Sequence, residues 1–134
     1  RSQITSSTAR IINNIFVGSS GTNGWVFDNL GTSTFTIDNN CYDDPTPTNA
    51  QWVRYNNVSY GGTAGGAITG VDSNAIEADP LFIDEAGGDY NLSANSTLRA
   101  AGDEWWTTET PTDREGNNYR DEPNTSLGAF QYGA

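Results

Sequence analysis

The chain has 134 residues, a hydrophobic content of 34% and a net charge of −11 at pH 7. This length suggests one domain with its own core, and the 11% of aromatic residues argues against a disordered chain. All six basic residues are Arg, and so few cations argue against a nucleic-acid partner, because phosphate binding needs clustered positive charge. Such acidity is typical of a soluble extracellular or salt-adapted surface, and cation binding remains an alternative.

The sequence contains no signal peptide, no lipidation motif and no apolar run long enough to span a membrane. It begins at Arg1 instead of Met, so we expect a mature product or a fragment. The composition alone therefore indicates an extracellular or cell-surface protein without a membrane span.

The first third of the chain alternates short apolar stretches with polar turns. Residues 1–10 are polar and are interpreted as the end of an earlier coil. Further along, the pattern predicts a strand–turn–strand passage at 11–17, a loop at 18–24, a short strand at 25–27, a turn at 28–31 and an alternating strand at 32–37.

One step in this region occurs twice. Residues 11–16 (Ile-Ile-Asn-Asn-Ile-Phe) are followed 26 residues later by residues 37–42 (Ile-Asp-Asn-Asn-Cys-Tyr). A fixed period of this size is the mark of a solenoid, and paired Asn residues favour a turn with positive φ. Cys41, the one cysteine, falls on Ile15, so we expect a small apolar core residue and no internal disulfide. The repeat predicts β-coils stacked along an axis.

The repetition fades after residue 60. Residues 51–60 predict one more strand, and the Gly-rich segment 61–66 predicts a boundary. We therefore divide the single structural domain into regular coils at 1–60 and a C-terminal coil and cap at 61–134, as part of a longer chain. The packing candidates in the last strand are Trp52, Val53, Tyr55 and Val58.

The second half carries a series of short motifs. They are Asp79-Pro80-Leu81-Phe82, Gly88-Asp89-Tyr90-Asn91-Leu92, Asn95-Ser96-Thr97-Leu98-Arg99-Ala100-Ala101-Gly102, Thr112-Asp113-Arg114-Glu115-Gly116 with Arg120, and Leu127-Gly128-Ala129-Phe130-Gln131-Tyr132. This order resembles the C-terminal end of secreted, pectate-lyase-like right-handed parallel β-helix proteins, which often close with DPLF, GDY-L, SPAIDAG, D-x-x-G-x-x-R and IGAYEY-like stretches. The chain departs from that pattern at Thr97, Ala100 and Gln131.

The resemblance covers nearly the whole chain and implies an all-β fold, namely a right-handed parallel β-helix of a few coils with an irregular C-terminal cap. In this fold Leu81, Phe82 and Tyr90 are candidates for covering the open end. The resemblance implies little about function, because polysaccharide lyases, glycosidases and adhesins share the pattern. It also implies that catalytic residues lie on central coils, which this chain would lack.

The sequence offers few groups for catalysis. It has neither His nor Lys, and its adjacent acidic pairs would point to opposite faces of a strand. Solvated turn acids are therefore the preferred interpretation. A lyase of the kind that the chain resembles would want Ca²⁺ or a cationic cluster, together with an Arg or Lys base, and only Arg10 and Arg54 lie in the predicted regular coils, where they share no motif. We assign no catalytic residue, and whether the parent protein is an enzyme stays open.

Two kinds of binding site are considered. Ca²⁺ is the one candidate cofactor, because Asp38, Asp43 and Asp44 group hard oxygen ligands near the second Asn pair. The alternative there is an Asn turn stacked on the Asn turn of the next coil. Trp105, Trp106 and Trp52 are the candidates for stacking on sugar rings, against the alternative of partial burial in the core.

Three hypotheses about function follow. In the first, the chain is the non-catalytic end of an extracellular β-helix, a structural closure whose partners are the remaining coils of the parent chain and a polysaccharide or cell surface. In the second, it is part of a polysaccharide lyase or glycoside hydrolase with its active site upstream. In the third, its open β-edge pairs with further copies, and the chain is a self-assembling filament subunit.

Overall fold

The computed structural model describes residues 8–18, 27–29, 34–43, 52–61, 66–103, 112, 116 and 126–128. These residues form strands and two short 3-10 turns, at Ile68–Gly70 and Thr97–Ala100, and contain no α-helix. The strands are β1 (Thr8–Ile12), β2 (Ile15–Val17), β3 (Phe27–Asn29), β4 (Thr34–Asp38), β5 (Cys41–Asp43), β6 (Val53–Tyr55), β7 (Val58–Tyr60), β8 (Phe82–Asp84) and β9 (Asp89–Leu92). The chain is therefore strand-rich, as the sequence indicates.

Three parallel strand pairs share one register. β1 pairs with β4, β2 with β5 and β3 with β6, and in each pair the partners lie 26 residues apart. Ile15 lies opposite Cys41, as the sequence alignment predicts. The described sheets are small, with two or three strands each. The period in the sequence is thus the pairing register of the backbone.

Antiparallel hairpins follow the parallel pairs. β6 turns back on β7, and β8 pairs with β9. The prediction of a single strand at 51–60 is wrong, because Asn56 and Asn57 both adopt positive φ, of 49° and 64°. Two consecutive residues of this kind make the tight turn that reverses a strand. Val58, a packing candidate, is consequently 49% exposed.

The position of β3 also differs from the expectation. We predicted a strand at 25–27 and a turn at 28–31, whereas the strand is Phe27–Asn29. Its three residues pair with Val53–Tyr55, so pairing with a neighbouring strand outweighs the turn preference of Asp28 and Asn29. Residues 25 and 26 lie outside the described part.

Two apolar clusters lie on opposite sides of β5. Neighbouring strand residues point to opposite faces, so Tyr42 enters the first cluster and Cys41 the second. Cys41 is buried and unbridged, which confirms its predicted place in the core. The buried members of the first cluster are Ile37, Tyr42, Trp52, Val53 and Ile68, and those of the second are Cys41, Leu92, Leu98 and Leu127.

The C-terminal half contacts both β5 and the turn between β1 and β2. Ile76 bridges to Cys41 in parallel, which places it beyond β5. Leu127 donates its backbone N–H to Leu98, and Gly128 donates to the carbonyl of Asn13, in the turn between β1 and β2. Described parts of the C-terminal half therefore contact both the β1–β2 turn and β5, whereas the sequence predicts a shield for the last coil only.

The expected apolar anchors behave unequally. Phe82 packs against the second cluster, whereas Leu81 and Tyr90 are exposed. Leu81 has a positive φ of 56°, and its N–H binds the carboxylate of Asp79 at 2.8 Å, so this turn directs its side chain away from the core.

Within the described ranges, we find no helix with the length and hydropathy needed to cross a membrane.

Candidate functional site

The two Asn pairs form equivalent turns, between β1 and β2 and between β4 and β5. Asn13 and Asn39 adopt the left-handed backbone conformation, with φ of 61° and 51°, as the paired Asn pattern predicts. Asn14 and Asn40 follow them and lie partly or fully inside the molecule. The first Asn of each pair therefore makes the turn, and the second contributes a polar side chain to the interior.

The interior Asn residues are hydrogen-bonded to one another. Asn40 Oδ1 accepts from the backbone N of Asn14 at 2.9 Å and from Asn14 Nδ2 at 3.0 Å. Asn40 Nδ2 in turn lies 2.9 Å from the carbonyl of Ile11 and 3.1 Å from that of Asp38. The Asn amides thus satisfy backbone groups that the turns leave unpaired.

A buried carboxylate continues this row. Asp72 Oδ2 accepts from the backbone N of Asn40 at 3.2 Å, from Asn40 Nδ2 at 2.8 Å and from the hydroxyl of Tyr42 at 3.1 Å. We call the row of Asn14, Asn40 and Asp72 the amide ladder. Asp72 is 0% exposed, and within the described part its Oδ1 has no hydrogen-bond partner.

Burial raises the pKa of three side chains in this region. It raises the pKa of Asp72 above its ordinary value, against the opposing effect of the hydrogen bonds from Asn40 and Tyr42. Burial also raises the pKa of Tyr42, and the nearby Asp72 carboxylate raises it further. The pKa of Cys41 rises to about 11, again mainly through burial.

The amide ladder does not have the properties of a catalytic site. A general base must reach the proton of a substrate, whereas Asp72 is 0% and Tyr42 is 2% exposed. Asp72 has its contacts inside the fold, to Asn40 and Tyr42. What the arrangement can do is hold two turns and the following segment in register.

A second row of contacts lies outside the turns. Asn13 Nδ2 donates to the carbonyl of Asp103, and Asn13 Oδ1 accepts from the N–H of the same residue, both at 2.8 Å. Asn39 Nδ2 donates to the carbonyl of Ala101 at 3.0 Å. The turn residues therefore bind alternate residues of one C-terminal segment, 101–103.

The calcium candidates are only partly described. Asp38 Oδ1 accepts from the backbone N of Asn39 and from Ser73 and Asn74, so this oxygen already has donors. Asp43 lies at the end of β5, and Asp44 lies outside the described residues. In the part of the chain that can be described, no three His, Cys, Asp or Glu side chains are grouped to hold a metal ion.

Of the three candidates for stacking on sugar rings, the structure describes only Trp52. Trp52 is 2% exposed, with its ring 5.6 Å from that of Tyr42, so its faces lie within the first cluster. Trp105 and Trp106 lie outside the described residues.

Of the adjacent acidic pairs, Asp84 and Glu85 are exposed in a turn where Asp84 accepts from the N–H of Gly87 at 2.9 Å.

Sequence reasoning missed Asp72, the one residue that ends the ladder. It lies 32 residues after Asn40, outside the 26-residue period, so the repeat alignment could not identify it. The only local signal is an acidic residue directly after a short turn at 68–71 whose Ile68 is buried, a signal too common to be specific.

The chain was also compared with known proteins. Searches against protein-family models, curated proteins and solved structures find no significant match. The functional argument therefore depends on the geometry above.

Proposed function

We propose that this chain is the non-catalytic C-terminal segment of an extracellular right-handed parallel β-helix, with a structural role in closing the helix. The observation that supports this most is the single 26-residue register shared by three parallel strand pairs. One turn of backbone per 26 residues would bring all three pairs into contact at once.

The arrangement beyond the second coil supports closure. Parallel pairing at that register ends with β3–β6, and the next strands form antiparallel hairpins. Terminal units of a solenoid depart from the repeat because the last coil would otherwise expose its apolar end. The buried apolar residues that the C-terminal half contributes to the two clusters are Ile68, Leu92, Leu98 and Leu127.

A non-catalytic role is supported by the burial of the ladder and by the lack of His and Lys. If the parent protein is a polysaccharide lyase or a glycoside hydrolase, its catalytic groups would lie on coils before this segment. Carbohydrate binding through Trp105 and Trp106, and Ca²⁺ binding through Asp38, Asp43 and Asp44, remain predictions.

The proposal is tested by a cross-link between coils. Arg10 and Thr36 are exposed partners in β1 and β4, so R10C/T36C, made with C41A, should form an internal disulfide under mild oxidation. R10C/E77C, which joins two exposed residues outside any described pairing, should not. Failure of the first pair to form, or equal yield from both, would refute the stacked coils.

A glycan panel tests the absence of catalysis. The isolated chain should release neither unsaturated uronates nor reducing sugars from polysaccharides, with and without added Ca²⁺. Release that survives rigorous purification would contradict the non-catalytic role, and loss of release in D38N would place the activity near the calcium candidates.

A further inference from the structure

The amide ladder has a direction. Asn40 Oδ1 accepts from both the backbone N and the Nδ2 of Asn14. Asp72 Oδ2 accepts from both the backbone N and the Nδ2 of Asn40 in the same way. Asn40 therefore receives two hydrogen bonds from Asn14 and gives two to Asp72.

The two ends of the ladder differ in chemistry. Asn14 Oδ1, at the first coil, receives no such pair of donors within the described residues. Asp72, at the other end, has a side chain without an N–H, and its backbone N–H already binds the carbonyl of Ile68. The ladder is closed at Asp72 and open at Asn14.

Burial changes along the same axis. Ile11, Ile15 and Phe16 on the first coil are half-buried. Their partners on the second coil, Ile37, Cys41 and Tyr42, are buried at 7%, 0% and 2% exposure. The apolar residues of the first coil therefore retain surface that one more layer would cover, on the same coil where Asn14 Oδ1 has no such pair of donors among the described residues.

We infer that the edge formed by β1 and β2 is a docking surface for one further parallel β-coil, whose Asn donates its backbone N and Nδ2 to Asn14 Oδ1. The inference rests on the proposed β-helix and names its missing neighbour. The matching position lies 26 residues before Asn14, ahead of Arg1, so the occupant is a coil outside this sequence.

A second copy of this chain does not fit that edge. In a head-to-tail stack, Asp72 of one copy would precede Asn14 of the next and would have to act as the donor. Two side-chain oxygens would then face each other, and a buried pair of acceptors is unfavourable. The ladder thus favours an Asn-bearing coil over head-to-tail filaments.

The test adds a coil. A copy of residues 8–33 is inserted directly before Thr8, which keeps the 26-residue register. We expect the folding equilibrium constant, from urea unfolding, to rise at least tenfold, because two hydrogen bonds and new apolar contacts form. The change Asn14→Leu in the added copy alone removes the Nδ2 donor but keeps the backbone N–H, so it should lose roughly fivefold of that gain, the contribution of one hydrogen bond.

A matched control uses the outer Asn. The change Asn13→Gly in the added copy keeps the positive φ of the turn without touching the ladder, so most of the gain should remain. An equal gain with the added Asn or Leu, or no gain from any added coil, would overturn the inference. The R10C/T36C cross-link measured in the same proteins distinguishes the two levels: if it forms while the coils add nothing, only the docking inference fails.

Sedimentation velocity of the unmodified protein tests the excluded occupant. We expect no growth of the sedimentation coefficient with concentration through head-to-tail stacking. Filaments that are abolished by Asn14→Leu would show that copies do pair through this edge, and would overturn the choice of an Asn-bearing coil as its occupant.

Discussion

Asn13 binds Asp103 as one strand residue binds another. The side-chain amide of Asn13 gives its N–H to the Asp103 carbonyl and takes the Asp103 N–H on its oxygen, both at 2.8 Å, across 90 residues of sequence. The side-chain amide of Asn13 therefore pairs with the backbone of Asp103 as a peptide group would.

The first prediction concerns this contact. Asn13→Gly keeps the left-handed turn but removes both hydrogen bonds, so the free energy of unfolding should fall by about 1–2 kcal/mol in urea titrations. Asn39→Gly removes the bond to Ala101 at 3.0 Å and a long one from Asn74 Nδ2 at 3.5 Å, so it should cost less than Asn13→Gly. A larger loss for Asn39→Gly would contradict the two-bond pairing at Asn13.

The second prediction concerns the centre of the ladder. Asn40→Ala leaves the carboxylate of Asp72 with fewer donors in a buried site, and it removes the acceptor of Asn14. We expect the free energy of unfolding to fall by about 3–5 kcal/mol, because buried polar groups lose partners on both sides. Asn14→Ala, at the half-buried end, is the matched control and should cost clearly less. Equal losses would show that the ladder contributes uniformly.

The third prediction is a pH dependence. The pKa of Asp72 is higher in the folded than in the unfolded protein, where it lies near the ordinary value of 3.8. The folded protein therefore binds this proton more tightly, so stability from Asp72 is fully present below pH 3.8 and is lost as pH rises through the folded pKa.

Asp72→Asn should remove that loss. The difference in urea midpoint between Asp72→Asn and the unmodified protein should grow in favour of the variant as pH rises from 3 to 7. Tyr42→Phe removes one hydrogen-bond donor from the Asp72 carboxylate and so raises the pKa of Asp72 further. The loss of stability with rising pH should therefore be larger in this variant. Parallel pH profiles for all three proteins would show that Asp72 does not carry the effect.

The fourth prediction concerns the thiol. Cys41 is 0% exposed and its pKa is raised to about 11, so the folded protein should resist alkylation at pH 8 and react fully in denaturant. The matched control is Val17→Cys in a C41A background, because Val17 is exposed on the strand next to β5. Rapid labelling of Cys41 in the folded protein would contradict its position in the second cluster.

The periodic part of the chain was largely predictable from sequence. The repeat at residues 11–16 and 37–42 predicts the register of β1–β4 and β2–β5, the positive φ of Asn13 and Asn39, and the burial of Cys41. These features depend on neighbours one period away, so alignment of the chain with itself detects them.

The non-periodic part was not predictable in the same way. Asp72 reaches Asn40 through a segment without a repeat, and the hairpin turn at Asn56 and Asn57 resembles the coil turns in composition but reverses the strand. The direction of a turn depends on one or two φ angles, and these follow from the strands available for pairing on either side.

The bonds from Asn13 to Asp103 and from Gly128 to Asn13 also set an order of events. Asn13 is translated before both partners, the first of which follows it by 90 residues, so its turn acquires these bonds only afterwards. Until then, the side-chain amide and the backbone carbonyl of Asn13 lack these partners. A translation product that stops before Asp103 would therefore leave the Asn13 turn without these hydrogen bonds.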